Sequence, residues 1–220
     1  MKKILSFISE LSENNNREWF QEHKSVFKEA QNEMYSFLET VIPEIVKIDS
    51  EVKGIEPKQC LFRIYRDVRF SNDKRPYKTN FGASINRGGR KISAPGYYLH
   101  LEPGKSFIGG GIYMPPPAVL KAIRDEIYYN SKEFLEIIEA PDFAAKLQLM
   151  DVDKLKLAPK GFPKDFEHID LLKYKHYAVG FSVSDEQVLN PDFKNLFLDV
   201  IRQVFTLNRF LYRAMDNMES

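Results

Sequence analysis

The fold class is decided by residues 97–114, which read YYLHLEPGKSFIGGGIYM. Residues 97–102 alternate between apolar and more polar side chains, and residues 107–114 read as a second strand. Period two predicts β-strands, because successive side chains of a strand point to opposite faces of the sheet. The sequence Glu102-Pro103-Gly104-Lys105 between the two runs is a turn signal, so consecutive strands are predicted to run antiparallel.

The second of these strands contains Gly109, Gly110 and Gly111 in succession. Three glycines weaken a strand, so another group is expected to approach the backbone closely there. A hydrogen atom in place of a side chain admits either of two neighbours. One is an aromatic ring from the adjacent strand, such as Tyr97 or Tyr98, and the other is a ligand.

The same alternation on either side of this stretch predicts further strands at residues 60–65, 80–85 and 177–183. Apolar residues recur at helical spacing in the first fifty residues, where Pro43 is expected to end or kink a helix. They recur again in a long amphipathic stripe that begins at about residue 191.

This arrangement predicts an α+β fold, with an antiparallel sheet in the middle of the chain packed by N-terminal and C-terminal helices. A single domain is expected to cover residues 1–220. It is predicted to be helical over 1–50, mostly strands over 58–114, and helical with one further strand over 115–220.

Composition excludes several classes of protein. The chain has 220 residues, 43% of them hydrophobic, which excludes global disorder, and a net charge of only +1. Its single cysteine, Cys60, excludes a disulfide framework and is expected to be a buried hydrophobe. No run approaches the roughly 18 apolar residues of a membrane span, so a cytoplasmic protein without a membrane partner is expected.

The charge is concentrated in one segment. Residues 58–91 contain ten bases and two acids, in a chain that is otherwise slightly acidic. Arginine forks match phosphate oxygens, lysine adds a point charge, and aromatic rings can stack on bases. The segment therefore predicts a site for a phosphorylated small molecule or nucleic acid. Its candidate ligand-binding residues are Arg63, Tyr65, Arg66, Arg69, Asp73, Lys74, Tyr77 and Lys78.

The same residues admit a structural interpretation. Arg66 and Arg69 could pair with Asp67 and Asp73, and such a network would pin a loop. The excess of eight positive charges in the segment favours the anion site, because an internal network would tend toward balance.

A second set of candidates bears on catalysis. His100 and Glu102 alternate onto one sheet face, where they could form an acid–base pair or simply a solvated face. Together with Asp67, they are the candidate catalytic residues. The six-residue spacing of Asp67 and Asp73 matches no metal motif, and neither a metal nor a cofactor is predicted.

Residues 60–79, CLFRIYRDVRFSNDKRPYKT, resemble the signature of a widespread bacterial family catalogued as domain of unknown function 2461. Further matches lie across nearly the whole chain, at 14–20, 97–100, 109–115 and 159–162. The resemblance implies a compact intracellular domain, and it implies no reaction, cofactor or catalytic residue.

The leading hypothesis is therefore recognition of a phosphorylated ligand, a nucleotide or nucleic acid, at residues 60–79. Two alternatives remain open. One is a non-catalytic module that presents the same bases to an acidic protein. The other is a metal-assisted hydrolase that uses Asp67, Asp73, His100 and Glu102.

Overall fold

The structure is a computed structural model that describes residues 1–218. Helices lie at both ends of the chain and three of the four strands lie in its middle. The helices are α1 (Lys2–Glu13), α2 (Arg17–Glu22), α3 (Lys24–Ile48), α4 (Pro57–Cys60), α5 (Pro117–Tyr129), α6 (Ser131–Ile138), α7 (Pro141–Ala144), α8 (Ile169–Leu172), α9 (Asp185–Leu189) and α10 (Phe193–Asp216), with 3-10 turns at Ser50–Val52 and Gly89–Lys91. The strands are β1 (Phe81–Ile85), β2 (Gly96–Leu101), β3 (Phe107–Ile112) and β4 (Tyr177–Ser182).

The four strands form one antiparallel sheet in the order β1-β2-β3-β4. Tyr97, Leu99 and Leu101 on β2 are buried, whereas the alternate residues Tyr98 and His100 are half-buried. The predicted α+β fold, with a mid-chain antiparallel sheet and helices at both termini, is therefore confirmed.

The described residues divide into two compact units. The first comprises Met1–Lys91, Tyr98–Ile108 and Ser182–Asp199; the second comprises Ile92–Tyr97, Gly109–Phe181 and the residues from Val200 onward. Strands β2 and β3 contribute residues to both units. The single domain over residues 1–220 stays a prediction, and its last two residues lie outside the described part.

Within the first unit, the N-terminal helices bury their apolar stripes. Phe7 of α1 and Met34 of α3 are completely buried, and Phe27 stacks on Phe81 of β1 with ring centroids 5.9 Å apart. Asn16 caps α2: its side chain accepts a hydrogen bond from the backbone N–H of Trp19. The expected end of the helix at Pro43 was wrong: α3 continues to Ile48.

An internal proline costs a helix about 3 kcal/mol, since it removes a hydrogen bond and clashes with the preceding turn. Val41, Ile42 and Ile45 flank Pro43 and are all buried. Burial of each such side chain contributes roughly 1.5–3 kcal/mol, so the packing of this turn outweighs the defect.

The predicted strand at residues 60–65 was also wrong. Cys60 ends helix α4, where Pro57 occupies the first turn and the Gln59 side chain accepts from the backbone N–H of Glu56. Residues 61–66 are extended but form only isolated bridges, Leu61 with Ala83 and Tyr65 with Tyr77. The segment predicted as mostly strands, 58–114, thus begins with a helical turn and a long irregular stretch.

Within the second unit, the close approach expected at the glycines is present at Gly110 and Gly111, where helix α10 and strand β4 make it rather than an aromatic ring. A Cβ on Gly110 would collide with Val204 of α10. A Cβ on Gly111 would collide with the backbone of Tyr177 on β4, and Gly111 also has a φ of +87°. These glycines let a helix and a neighbouring strand pack directly on the backbone of β3.

Gly111→Ala is therefore expected to destabilise the chain far more than Gly104→Ala. Both positions have a positive φ, which costs a non-glycine residue about 1–2 kcal/mol, but a Cβ at Gly104 meets open space. Urea denaturation measures the difference. Equal losses of unfolding free energy would show that backbone strain alone explains Gly111.

Candidate functional site

The basic segment folds back on itself within the first unit, as two extended segments joined by a loop. Residues 61–66 run antiparallel to residues 76–78, and residues 67–75 form the loop between them; we call residues 61–78 the basic arm. The backbone N–H of Lys78 donates to the carbonyl of Ile64 at 2.8 Å, and that of Arg66 donates to Pro76 at 2.9 Å. Six bases and two acids give the arm a net charge of +4.

Tyr77 fastens the arm to the N-terminal helices. The Asn15 side chain donates to the Tyr77 carbonyl at 3.0 Å and accepts from the Tyr77 N–H at 3.1 Å. The Tyr77 ring is 3% exposed and stacks on Phe20 with centroids 4.0 Å apart. Tyr65, by contrast, is 47% exposed. Of the two predicted stacking rings, only Tyr65 is open to a ligand.

Three arginines of the arm have carboxylate partners in the loop. Arg69 donates from Nε to Asp67 Oδ1 at 3.0 Å and from Nη2 to Asp67 Oδ2 at 2.7 Å. Arg75 and Arg66 both reach Asp73 at 2.7 Å. Hydrogen bonds from Arg69 hold the pKa of Asp67 below its usual value, and those from Arg75 do the same for Asp73. The ion-pair network considered for these residues is therefore present, and it lies at the surface.

Two bases of the arm have no carboxylate partner. Within the described residues, neither Arg63 nor Lys78 forms an ion pair. The Lys78 ammonium lies 5.3 Å from the centroid of the Phe62 ring, and Lys78 is half-buried. Burial, and next the charge of Arg63, hold the pKa of Lys78 below its usual value. The half-buried ammonium of Lys78 and the exposed guanidinium of Arg63 thus repel each other.

The remaining lysine of the loop, Lys74, donates from Nζ to the carbonyl oxygen of Val68 at 3.2 Å. Its charge is not neutralised by that bond, since a carbonyl carries only a partial charge. Lys74 is exposed and belongs with Arg63 and Lys78 as a base available to an anion.

The catalytic candidates His100 and Glu102 form a second cluster, on the face of β2 in the first unit. His100 Nε2 lies 3.1 Å from Glu102 Oε2, and the two side chains are 16% and 23% exposed. The His100 ring stacks on Phe107 with centroids 4.7 Å apart. The face is therefore half-buried rather than the solvated face considered from sequence.

An ionised Glu102 accepts from Nε2–H of a neutral His100, which leaves Nδ1 as a lone-pair acceptor. That nitrogen lies 3.3 Å from the Tyr98 hydroxyl and 3.4 Å from Asn80 Nδ2. Burial raises the pKa of Tyr98 to about 12, so its hydroxyl stays protonated and can donate to His100. The cluster has the components of a general base oriented by a carboxylate.

The structure brings the eight predicted ligand-binding residues onto one arm and leaves His100 and Glu102 on β2. Phe62 and Tyr98 were missed, although Phe62 shares the alternation that drew attention to residues 60–65. Their rings meet with centroids 6.3 Å apart. Cys60 is fully buried, and burial raises the pKa of its thiol to about 12, as suits a structural cysteine.

Over residues 1–218, no three His, Cys, Asp or Glu side chains gather as a metal site requires. In the same range, no helix has the length and apolar content needed to cross a bilayer.

A family model described as "Conserved hypothetical protein (DUF2461)" matches residues 3–210. The chain belongs to the DUF2461 family. The match covers the basic arm and the β2 cluster together, and it confirms the membership that residues 60–79 indicated. A comparison of this DUF2461 chain with curated proteins finds no match. A bacterial source and a cytoplasmic location stay predictions.

The stability of this DUF2461 chain should depend on pH through His100. Burial lowers the pKa of folded His100 below its usual value of 6.5, against the opposing effect of Glu102. The unfolded chain then binds the proton more readily, so stability is complete above about pH 6.5 and declines as pH falls toward the lowered pKa. His100→Asn should show a smaller decline between pH 7 and pH 5.

His168→Asn is the matched control, because His168 lies outside the β2 cluster and should leave the decline unchanged. Urea denaturation at each pH makes the measurement. A wild-type decline that survives intact in His100→Asn would mean that other groups cause it.

Proposed function

We propose that this protein recognises a phosphorylated ligand, a nucleotide or nucleic acid, at the hydrogen-bonded end of its basic arm, where Arg63 and Lys78 lie. The observation that supports the proposal is the pair Arg63 and Lys78. The backbone hydrogen bond from Lys78 to Ile64 places Lys78 next to Arg63 on the paired segment, and neither side chain forms an ion pair within residues 1–218. A bound phosphate would offset their repulsion and add a countercharge, since the Asp67 carboxylate near Arg63 is already hydrogen-bonded to Arg69.

The two side chains suit complementary roles. The exposed guanidinium of Arg63 can present two parallel N–H donors to phosphate oxygens, and the Lys78 ammonium adds a point charge from a half-buried position. Lys74 and the half-exposed ring of Tyr65 are further contacts on the same arm. Tyr77 supports the arm without touching the ligand.

Arg66 and Arg69 are less central to the proposed site than the sequence indicated. Both are held by loop carboxylates, so a ligand meets two neutralised pairs there. The Arg69–Asp67 pair is exposed, and exposed ion pairs exchange partners at small cost, whereas Arg66 is half-buried and also bonded to the Arg75 carbonyl. Arg69 can therefore assist binding without being its centre.

The two alternatives have weaker support. An acidic protein would be attracted by the same basic side chains, and poly-L-glutamate tests this alternative. For a metal-assisted hydrolase, Asp67 and Asp73 would have to release their arginines, and His100 and Glu102 lie in a different cluster.

Inorganic phosphate, ATP and a short oligothymidylate should each raise the melting temperature at constant ionic strength, whereas chloride and poly-L-glutamate should not. A hundredfold excess over the dissociation constant corresponds to about 2.7 kcal/mol of added stability. Lys78→Gln and Arg63→Gln should each abolish the shift in melting temperature. The control variant Lys91→Gln removes an exposed lysine outside the arm and should keep the shift.

The unliganded variants provide an independent check. Because Lys78 is partly desolvated beside Arg63, Lys78→Gln without ligand should match or exceed the wild-type melting temperature. A clear loss of stability in Lys78→Gln, or a wild type unaffected by all three phosphate compounds, would contradict the proposal.

A further inference from the structure

Phe70 is the most exposed large apolar side chain among the described residues. It is 95% exposed, in the loop of the basic arm, whereas Phe20, Phe81 and Phe134 are at most 3% exposed. A phenylalanine held almost entirely in water contributes nothing to the core. Its neighbours are Arg69, whose guanidinium carbon lies 5.8 Å from the ring centroid, and Ser71.

We propose that the basic arm binds single-stranded nucleic acid, with Phe70 stacked on a base while the arm's cations contact the phosphates. The inference rests on the proposed function and extends it to the class of ligand. Stacking on an exposed ring combined with a basic track is the general mode by which single strands are bound without sequence preference.

The positions of the charges along the arm favour a polymer over a mononucleotide. Arg63 and Lys78 lie at the end of the arm where its two segments are hydrogen-bonded to each other, whereas Phe70 and Lys74 lie in its loop. The paired part from residue 63 to residue 66 alone spans about 10 Å, at roughly 3.3 Å per residue. A ligand that reaches both ends therefore needs several consecutive nucleotides.

The exposed ring favours a single strand over a duplex. Stacking requires an accessible base face, and a duplex presents its base faces only at its ends. Arg69 lies beside the ring with Nε and Nη2 bonded to Asp67, so it would assist a phosphate next to a stacked base only by exchanging this exposed carboxylate partner.

The arm fits a lipid surface less well. A membrane-inserting loop collects apolar side chains at one depth, because each must reach the acyl boundary together. Here the two exposed rings are separated along the arm: Tyr65 lies in the hydrogen-bonded end and Phe70 in the loop. The basic side chains Arg66 and Arg69 lie between these two rings in the sequence.

Fluorescence anisotropy with labelled thymidine trinucleotide, hexanucleotide and dodecanucleotide tests the inference. Affinity should rise from the shortest to the longest. Phe70→Ala should weaken binding of the dodecanucleotide about five- to 150-fold, as the loss of one stacked base implies, and leave the phosphate-induced melting shift intact. Tyr129→Ala removes an aromatic that is 78% exposed outside the arm and should have no effect.

Phe70→Leu separates stacking from apolar contact, because leucine keeps the apolar surface and lacks the ring. It should behave like Phe70→Ala toward the oligonucleotide. Lys74→Gln should lower the magnitude of the salt slope, d log K/d log [salt], by about 0.7, the contribution of one single-strand phosphate contact.

Three outcomes would overturn the inference while leaving the proposed function in place. They are equal affinity for all three oligonucleotides, full binding by Phe70→Ala, and Phe70-dependent binding to phosphatidylserine vesicles that Phe70→Leu retains. A failure of the proposed function has a different signature, namely no response of the wild type to inorganic phosphate.

Discussion

Tyr77 sets the register of the basic arm. Its two backbone groups are satisfied by the Asn15 side chain, and its ring is buried against Phe20. Buried backbone groups need partners, so the Asn15 bonds hold Tyr77 in place, and the bonds of Lys78 to Ile64 and of Arg66 to Pro76 then set where residues 76–78 lie against residues 64–66. The position of Lys78 beside Phe62 and Arg63 follows from that register. The arm's bases are thus held close together, although their charges favour separation.

The arm divides its charges into two groups. Around the loop, Asp67 and Asp73 neutralise the guanidinium groups and order the backbone between them. At the hydrogen-bonded end, Arg63 and Lys78 have no such partner. A half-buried lysine beside an arginine costs stability, and the contact of Lys78 with the Phe62 ring offsets only part of that cost. That asymmetry is the reason to place the ligand at the hydrogen-bonded end and to let the loop, with its exposed ring, extend the contact.

Sequence periodicity predicted β2 and α10 because those elements bury one face, and burial imposes the period; in β1 and β4 burial alternates less, and apolar residues at every second position still indicated a strand. It failed at residues 60–65, where alternation continued through a helical turn; Glu56-Pro57-Lys58-Gln59 carried a start signal for that turn. It identified the basic segment and the resemblance to DUF2461. It could not separate neutralised from open bases, because Arg66 and Arg63 differ only in which carboxylates the folded loop brings near them.

Crystals grown without sulfate or phosphate and soaked in tungstate give the most direct test of the central claim. Tungstate is a tetrahedral oxyanion whose anomalous scattering locates it without ambiguity. The account predicts one site within ion-pair distance of both the Arg63 guanidinium and the Lys78 ammonium, absent from crystals of Lys78→Gln. Tungstate bound elsewhere on the surface, with the Arg63–Lys78 position empty, would contradict it.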